Sequence, residues 1–429
     1  MGGFTNDLVR PMERYNSYKD SGVQWLGEIP SHWEMKRWRF LMLENTTKNS
    51  NCKERLQLQF RYGDIVRKAN QSEESDVLDT ISKYTVVEPD DIMINGLNLN
   101  YDFVSQRVAQ VQERGVITSA YISLRPTKIA NSRYFTYFLK SMDAKKMFHG
   151  MGTGIRLTLS YNELKNQFIP CPSPEEQSAI ATYLDAATAK IDAAIAQQQK
   201  MIDLLNERKQ IIINRAVTKG LNPDAKMKDS GVEWIGEVPE DWEIIKAKYI
   251  WNEYSEKTKT GNEQLLSVSQ YGGVVPNNTE SRSESFVGYK MVHKDILVIN
   301  IMLAWMGGFD VSQIEGIVSP AYCTYRCDKK NALSKFLGYL YKSNMYLAEF
   351  ARRSTGIIPS RWRMYTDDFG QVLTILPPIQ SQKEIVEYID TEIGKIIPYI
   401  NKCQKQISLL QERKQIIINE VVTGKVRVV

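Results

Sequence analysis

From residue 175 to 217 the chain contains neither proline nor glycine, and apolar residues return every seventh position. Leu184, Ile191, Leu205 and Ile212 lie on one such row with Gln198 among them, and Ala187, Ala194 and Met201 form a second. A seven-residue period held this long predicts a long helix with one apolar seam, of the coiled-coil kind. At the ~1.5 Å rise per residue of an α-helix it runs roughly 65 Å. Glu175 and Glu176 fall in its first turn, where negative charge suits the helix dipole. The row returns near the end of the chain as Ile389, Ile396, Leu410 and Ile417, with Cys403 in the place of Gln198. Gly394 and Pro398 interrupt this second copy, which predicts a kink or break. Alternating apolar stretches at "DDIMING" (90–96) and "KDILVIN" (294–300) predict buried strands ending in Asn, while 132–142 and 333–344 have the pattern of amphipathic helices.

These elements occur in duplicate. "KDSGVQWLGEIP" (19–30) and "KDSGVEWIGEVP" (228–239) share nine of twelve residues, and "ERKQIIIN" stands unchanged at 207–214 and 412–419. Between them Gln177 matches Gln382 and Asp185 matches Asp390, both at an offset of 205. Fainter echoes join 61–66 to 270–275, 115–126 to 316–327, and "GTGI" (152–155) to "STGI" (354–357). The chain is thus two copies of one unit, each with a nearly invariant opening, a divergent middle and a nearly invariant exit. Ends that stay fixed serve assembly, and middles that drift serve recognition. Trp25 and Trp33, with Trp234 and Trp242, are expected as core anchors, because base-stacking residues should differ between the copies. Two helices each lacking a partner for an apolar seam are expected to pair antiparallel, with the variable middles at opposite ends of a rod.

The divergent middles gather basic, aromatic and amide residues at their expected loops. Arg61 and Tyr62, Asn95, Asn98 and Asn100, and Arg156 do so in the first copy. Gln270 and Tyr271, Asn300 and Trp305, and Arg352, Arg353, Arg361 and Arg363 do so in the second. Arg pairs with guanine and Asn or Gln with adenine through bidentate hydrogen bonds in the major groove, and Arg also holds phosphates without reading sequence. If Arg352 and Arg353 grip phosphates, replacing them with Ala lowers the salt dependence of binding, each lost contact taking about 0.9 from the log–log slope.

Composition narrows the chemistry. The net charge of +5 on 429 residues permits a polyanionic partner without demanding one. Five scattered cysteines and three scattered histidines give no metal-ligand pattern and read as reduced thiols in a cytoplasm. The N-terminus has no apolar signal-peptide core, and the longest apolar stretch, 296–306, is too short to span a bilayer. No P-loop is present, "NPDA" (222–225) lacks the aromatic of an amino-methyltransferase motif, and no nucleophile–His–acid set assembles.

The pattern DSGVxWxGExPxxW opening each half, with a variable middle and a closing P…Q…I…D…ID…LLxERKQ, resembles the DNA-specificity subunit of a Type I restriction–modification enzyme over residues 17–425. The resemblance implies an α+β fold: two α/β target-recognition domains joined by two long antiparallel coiled-coil helices, as a pseudo-twofold internal repeat. Its implied boundaries are an N-terminal tail 1–17, recognition domain 18–171, central conserved helix 172–217, linker 218–226, recognition domain 227–376, C-terminal conserved helix 377–423 and tail 424–429. It implies a cytoplasmic, non-catalytic subunit that reads a bipartite, asymmetric site in double-stranded DNA. Two methyltransferase subunits acting on adenine N6 and two restriction/translocase subunits are its implied partners. S-adenosylmethionine, and ATP with Mg, then belong to those partners, with no cofactor in this chain. Three alternatives remain at this stage: the specificity subunit of a related system with a fused nuclease–methylase partner, a self-contained DNA methyltransferase, and a coiled-coil scaffold.

Overall fold

The structure, a computed structural model, describes residues 13–69, 75–155, 157–269, 273–277, 285–358 and 361–428. The chain divides into two compact units, Met1–Gln198 with Lys405–Val429, and Gln199–Gln404. Each long helix is therefore divided between the units: the first runs Pro174–Lys219 and the second Ile379–Val422.

In the first unit, strand Glu34–Arg37 pairs antiparallel with Phe168–Cys171, tying the start of the recognition region to its end. Four short strands form an antiparallel sheet in the spatial order Met42–Glu44, Ile122–Pro126, Ile92–Ile94 and Val108–Gln110. Helix Ser132–Ala144 packs along the last of these, capped by the Asn131 side chain. Two further pairs, Thr85–Val87 with Gly115–Ile117 and Leu58–Arg61 with Asp64–Arg67, complete the unit. Buried Trp33 and Trp38 sit in its core, with Trp25 at the margin.

Every one of these pairings recurs in the second unit. Glu243–Lys246 pairs with Leu373–Leu376, and the sheet runs Trp251–Glu253, Tyr322–Cys327, Leu297–Asn300, Phe309–Val311. Lys290–Val292 pairs with Gly316–Val318, and Leu266–Ser269 with Gly273–Pro276. Two middles with little sequence in common thus share one topology, because the buried alternation and the fixed ends specify it while the exposed positions are free to vary.

The repeated polar residues hold each recognition region to the start of its long helix. Gln177 is fully buried; its Oε1 accepts from Asn131 N (2.7 Å) and its Nε2 donates to the carbonyls of Ile129 and Pro172. Gln382 makes the same three bonds to Leu333 N, Asn331 O and Pro377 O. About two turns further on, Asp185 accepts from Arg133 Nε (2.6 Å) and Tyr137 Oη (2.7 Å), and Asp390 accepts from Lys335 Nζ (2.6 Å) and Tyr339 Oη (2.7 Å). The exits work differently. Ile418, Val421 and Val422, at the end of the second helix, fill the core of the first unit, whereas Ile213, Ala216 and Val217, at the end of the first helix, fill that of the second.

Within each unit the helix segments run antiparallel. Asp192 pairs with Lys414 at 2.7 Å, and Glu176 lines a surface cleft with Arg427. In the second unit Gly220 shares a cleft with Glu384 and Ile385. Leu184, Ile191, Ile389, Ile396 and Ile417 are buried, and Leu205, Ile212 and Leu410 are half-buried. Two expectations are corrected. The second row of the first seam is Thr188, Ile195 and Ile202 rather than Ala187, Ala194 and Met201, since Met201 faces solvent. Both rows keep a 3.5-residue period, and alanine on either side hid which one packs. Of the kink or break expected at Gly394–Pro398, the break does not occur: the second helix runs through, with Pro398 inside it. Both residues are exposed, so the carbonyl that loses its donor faces water.

Candidate nucleic-acid interface

Three loops converge in the first unit. A two-residue turn at Tyr62–Gly63 closes the hairpin Leu58–Arg61/Asp64–Arg67, with φ of 51° at Tyr62 and 81° at Gly63, as a type I′ turn requires. A large aromatic residue in the left-handed region is uncommon and points to use of its exposed ring; Arg61 lies over that ring at 5.3 Å. Gly63 rests on Gln106, in the loop that follows strand Ile92–Ile94. That loop in turn meets the third, where Thr153 and Thr158 pair backbone to backbone: Leu99 N donates to Leu157 O (3.1 Å) and Leu159 N to Gly96 O (2.9 Å).

Arg107, which the sequence reading passed over, builds the middle loop. Its guanidinium is buried and donates to the carbonyls of Asn95 (3.0 Å), Leu97 (2.8 Å) and Asp102 (2.7 Å). Asp102 accepts from Val104 N and Ser105 N, and the Ser105 hydrogen bonds foremost hold its carboxyl down at about 2. Phe103 stacks on His149 at 4.7 Å, and Tyr101, Phe103 and Val104 are exposed at the loop's crest. The only sequence signal was the density of Asn and Gly ahead of a lone Arg.

The second unit uses a different solution on the same frame. Asn300 N bonds Gly308 O as Asn95 N bonds Arg107 O, but seven residues separate the pair instead of eleven. A tryptophan pair replaces the buried arginine: Trp305 meets Trp362 edge-on at 5.4 Å, joining this loop to the third, closed by Thr355 and Arg363. The hairpin residue Gly273 rests on Asp310, which Lys342 Nζ holds at 2.5 Å.

The other residues singled out from sequence divide into groups. Asn98 is exposed, and Asn100 Nδ2 donates to Ile155 O (3.4 Å) beneath the third loop. Asn95 and Asn300 shape turns: each side-chain oxygen accepts the amide two residues on (3.2 and 3.1 Å), with Asn95 half-buried and Asn300 buried. Arg352 and Arg353 share one carboxylate partner. Both clamp Glu349, whose side chain is 2% exposed, at 2.6 and 2.5 Å. Burial pushes the Glu349 carboxyl up, and the arginine hydrogen bonds outweigh it, leaving it below its ordinary value. Arg361 is exposed, and Arg363 is half-buried with Nη1 on Trp362 O. Arg156, Gln270 and Tyr271 lie outside the described residues. Among the described residues no group of three or more His, Cys, Asp or Glu is placed to hold a metal ion, and no helix is long and apolar enough to cross a membrane.

Residues 107–202 match the family described as Type I restriction modification DNA specificity domain. The Type I restriction enzyme MjaVIII specificity subunit of Methanocaldococcus jannaschii is 26% identical over 367 residues, 81% of each chain. The Type I restriction enzyme StySPI specificity subunit of Salmonella potsdam is 23% identical over 309 residues, 67% of this chain and 63% of that one. A solved structure concerned with complex assembly and conformational transition of the type I R-M system is similar at a TM-score of 0.63, with 13% identity, over 92% of this chain and 98% of that chain. At that identity the likeness establishes the fold.

Proposed function

We propose that this chain, a relative of the type I restriction-enzyme specificity subunits with their fold and DNA specificity domain, reads a two-part DNA site for a restriction–modification assembly and catalyses nothing itself. The observation that carries this reading is the contrast between frame and tips. Both units keep the same strand pairings, the same buried glutamine and the same aspartate clamp. Their converging loops differ in length, in internal support and in the side chains they display. A protein that reads two different half-sites needs this combination.

The exits supply surfaces of the opposite character. Leu204 and Ile211 on the first helix, and Leu409 and Ile416 on the second, are half-exposed at matched positions of the repeated LLxERKQIIIN stretch. Equal surfaces suit equal partners, here two adenine-N6 methyltransferase subunits that bring S-adenosylmethionine. Restriction/translocase subunits with ATP and Mg join through them, in the cytoplasm. The test is to co-express the chain with the methyltransferase encoded beside it and to map modified adenines in host DNA. Two fixed blocks separated by an unspecified gap are expected; a continuous palindrome would overturn two different readers in one chain.

A further inference from the structure

The two loop clusters differ at most positions but agree at one tip. Thr153–Gly154–Ile155 and Thr355–Gly356–Ile357 occupy matched places in the third loop, and their isoleucines are 97% and 93% exposed. One exposed aliphatic side chain is ordinary. The same one at the crest of both third loops, where the surroundings have diverged, calls for a common partner.

Both mounts are firm. Thr153 and Thr158 exchange backbone hydrogen bonds at 3.1 and 2.9 Å, and Asn100 supports Ile155 O from below. Thr355 and Arg363 exchange theirs at 2.9 Å each, and Met364 N donates to Ile301 O at 3.0 Å. Resting on the DNA reading above, we propose that Ile155 and Ile357 are apolar wedges that enter the base stack of the bound duplex, one in each half-site, without reading sequence. A residue that reads bases must change when the half-site changes, so an identical residue meets what both half-sites share. Phosphates attract cations, and isoleucine offers neither charge nor hydrogen bond. What remains in common is the apolar face of stacked bases, which Ile is suited to part. Exposed Tyr101 and Phe103 stand beside one tip, and the Trp305–Trp362 pair beside the other. A protein partner common to both units is already served by the matched helix surfaces.

The test uses the full chain assembled with its methyltransferase, on a duplex carrying the mapped site with 2-aminopurine at successive positions. The parent is expected to raise the fluorescence at a step in each half-site. Ile155→Ser abolishes the rise in one half-site only, and Ile357→Ser in the other. Each weakens binding about tenfold through lost apolar contact, with the salt slope unchanged because no phosphate contact is lost. Ile155→Phe retains the rise. Thermal unfolding of all variants should match the parent, since the tips touch solvent. Parent-like fluorescence and affinity in both Ser variants would overturn the wedge, as would loss of methyltransferase from the assembly with fluorescence unchanged. A parent that selects no duplex would instead overturn the DNA reading, and the wedge with it.

Discussion

Arg352 and Arg353 illustrate how a residue chosen for its DNA chemistry can also hold a buried carboxylate. Their carboxylate partner Glu349 lies three and four positions earlier on one helix, so the pairing was available to sequence inspection once a helix over Asn344–Arg353 was assumed. What sequence could not supply was that Glu349 is buried, which turns a surface pair into a structural one. The double Ala variant should therefore lose roughly 3 kcal/mol of stability in denaturant unfolding, because a buried carboxylate is left unpaired, and Glu349→Gln in that background should restore part of it. The pH sign follows from the lowered carboxyl. This contribution is present above the ordinary carboxylate pKa of about 4.3 and fades as pH falls through the depressed folded value. Arg361 is the better probe of phosphate contact, since its exposed guanidinium has no partner among the described residues. Arg361→Ala should lower the log–log salt slope by about 0.9 with stability unchanged; an unaltered slope removes it from the interface. Asn95 and Asn300 teach the same lesson in a milder form: an Asn after a buried strand also closes a turn.

Elements were more legible than residues, because periodicity survives where individual contacts do not. Both long helices, the paired buried strands and the helix after Asn131 stand where hydrophobic spacing puts them. The misplaced seam row and the uninterrupted passage of Pro398 arise from one limit: a period tells that a face exists, while the packing decides which neighbouring row fills it and whether a proline faces water. The glutamine clamp gives this level a measurable weight. Gln177→Ala strands two carbonyls and an amide and should cost about 2–3 kcal/mol, and Gln382→Ala should cost the same in the other unit. Unequal losses would show that the matched bonds are not equivalent in strength. On the outer face, Leu204→Asp with Ile211→Asp should reduce the co-purifying methyltransferase from two subunits to one by sedimentation, and the Leu409, Ile416 pair should account for the other.

At the scale of the whole molecule, the repeat read from sequence and the units seen in space do not coincide. Each sequence copy ends in a helix whose last turns complete the core of the other copy's region, an exchange that linear inspection of a repeat does not reveal. A chain ending at Gln404 should accordingly keep a protease-resistant unit spanning 199–404 and lose resistance in the N-terminal region. Equal resistance of both would contradict the exchange. The junctions differ in one respect. In the second unit, Gly220 at the end of the first helix packs on Trp242, and the two are joined by the intervening chain. In the first, Gly424 packs on Trp33 and Arg427 N bonds Glu13 O (2.8 Å), bringing together residues far apart in the sequence. During synthesis this difference becomes an order of events. The unit 199–404 has all its parts soon after residue 404 leaves the ribosome, whereas the unit begun before it waits, its apolar face uncovered, for the segment from Lys405 onward. Of the two units, the one begun earlier closes later, and that interval is when the nascent chain is most open to aggregation and to chaperones.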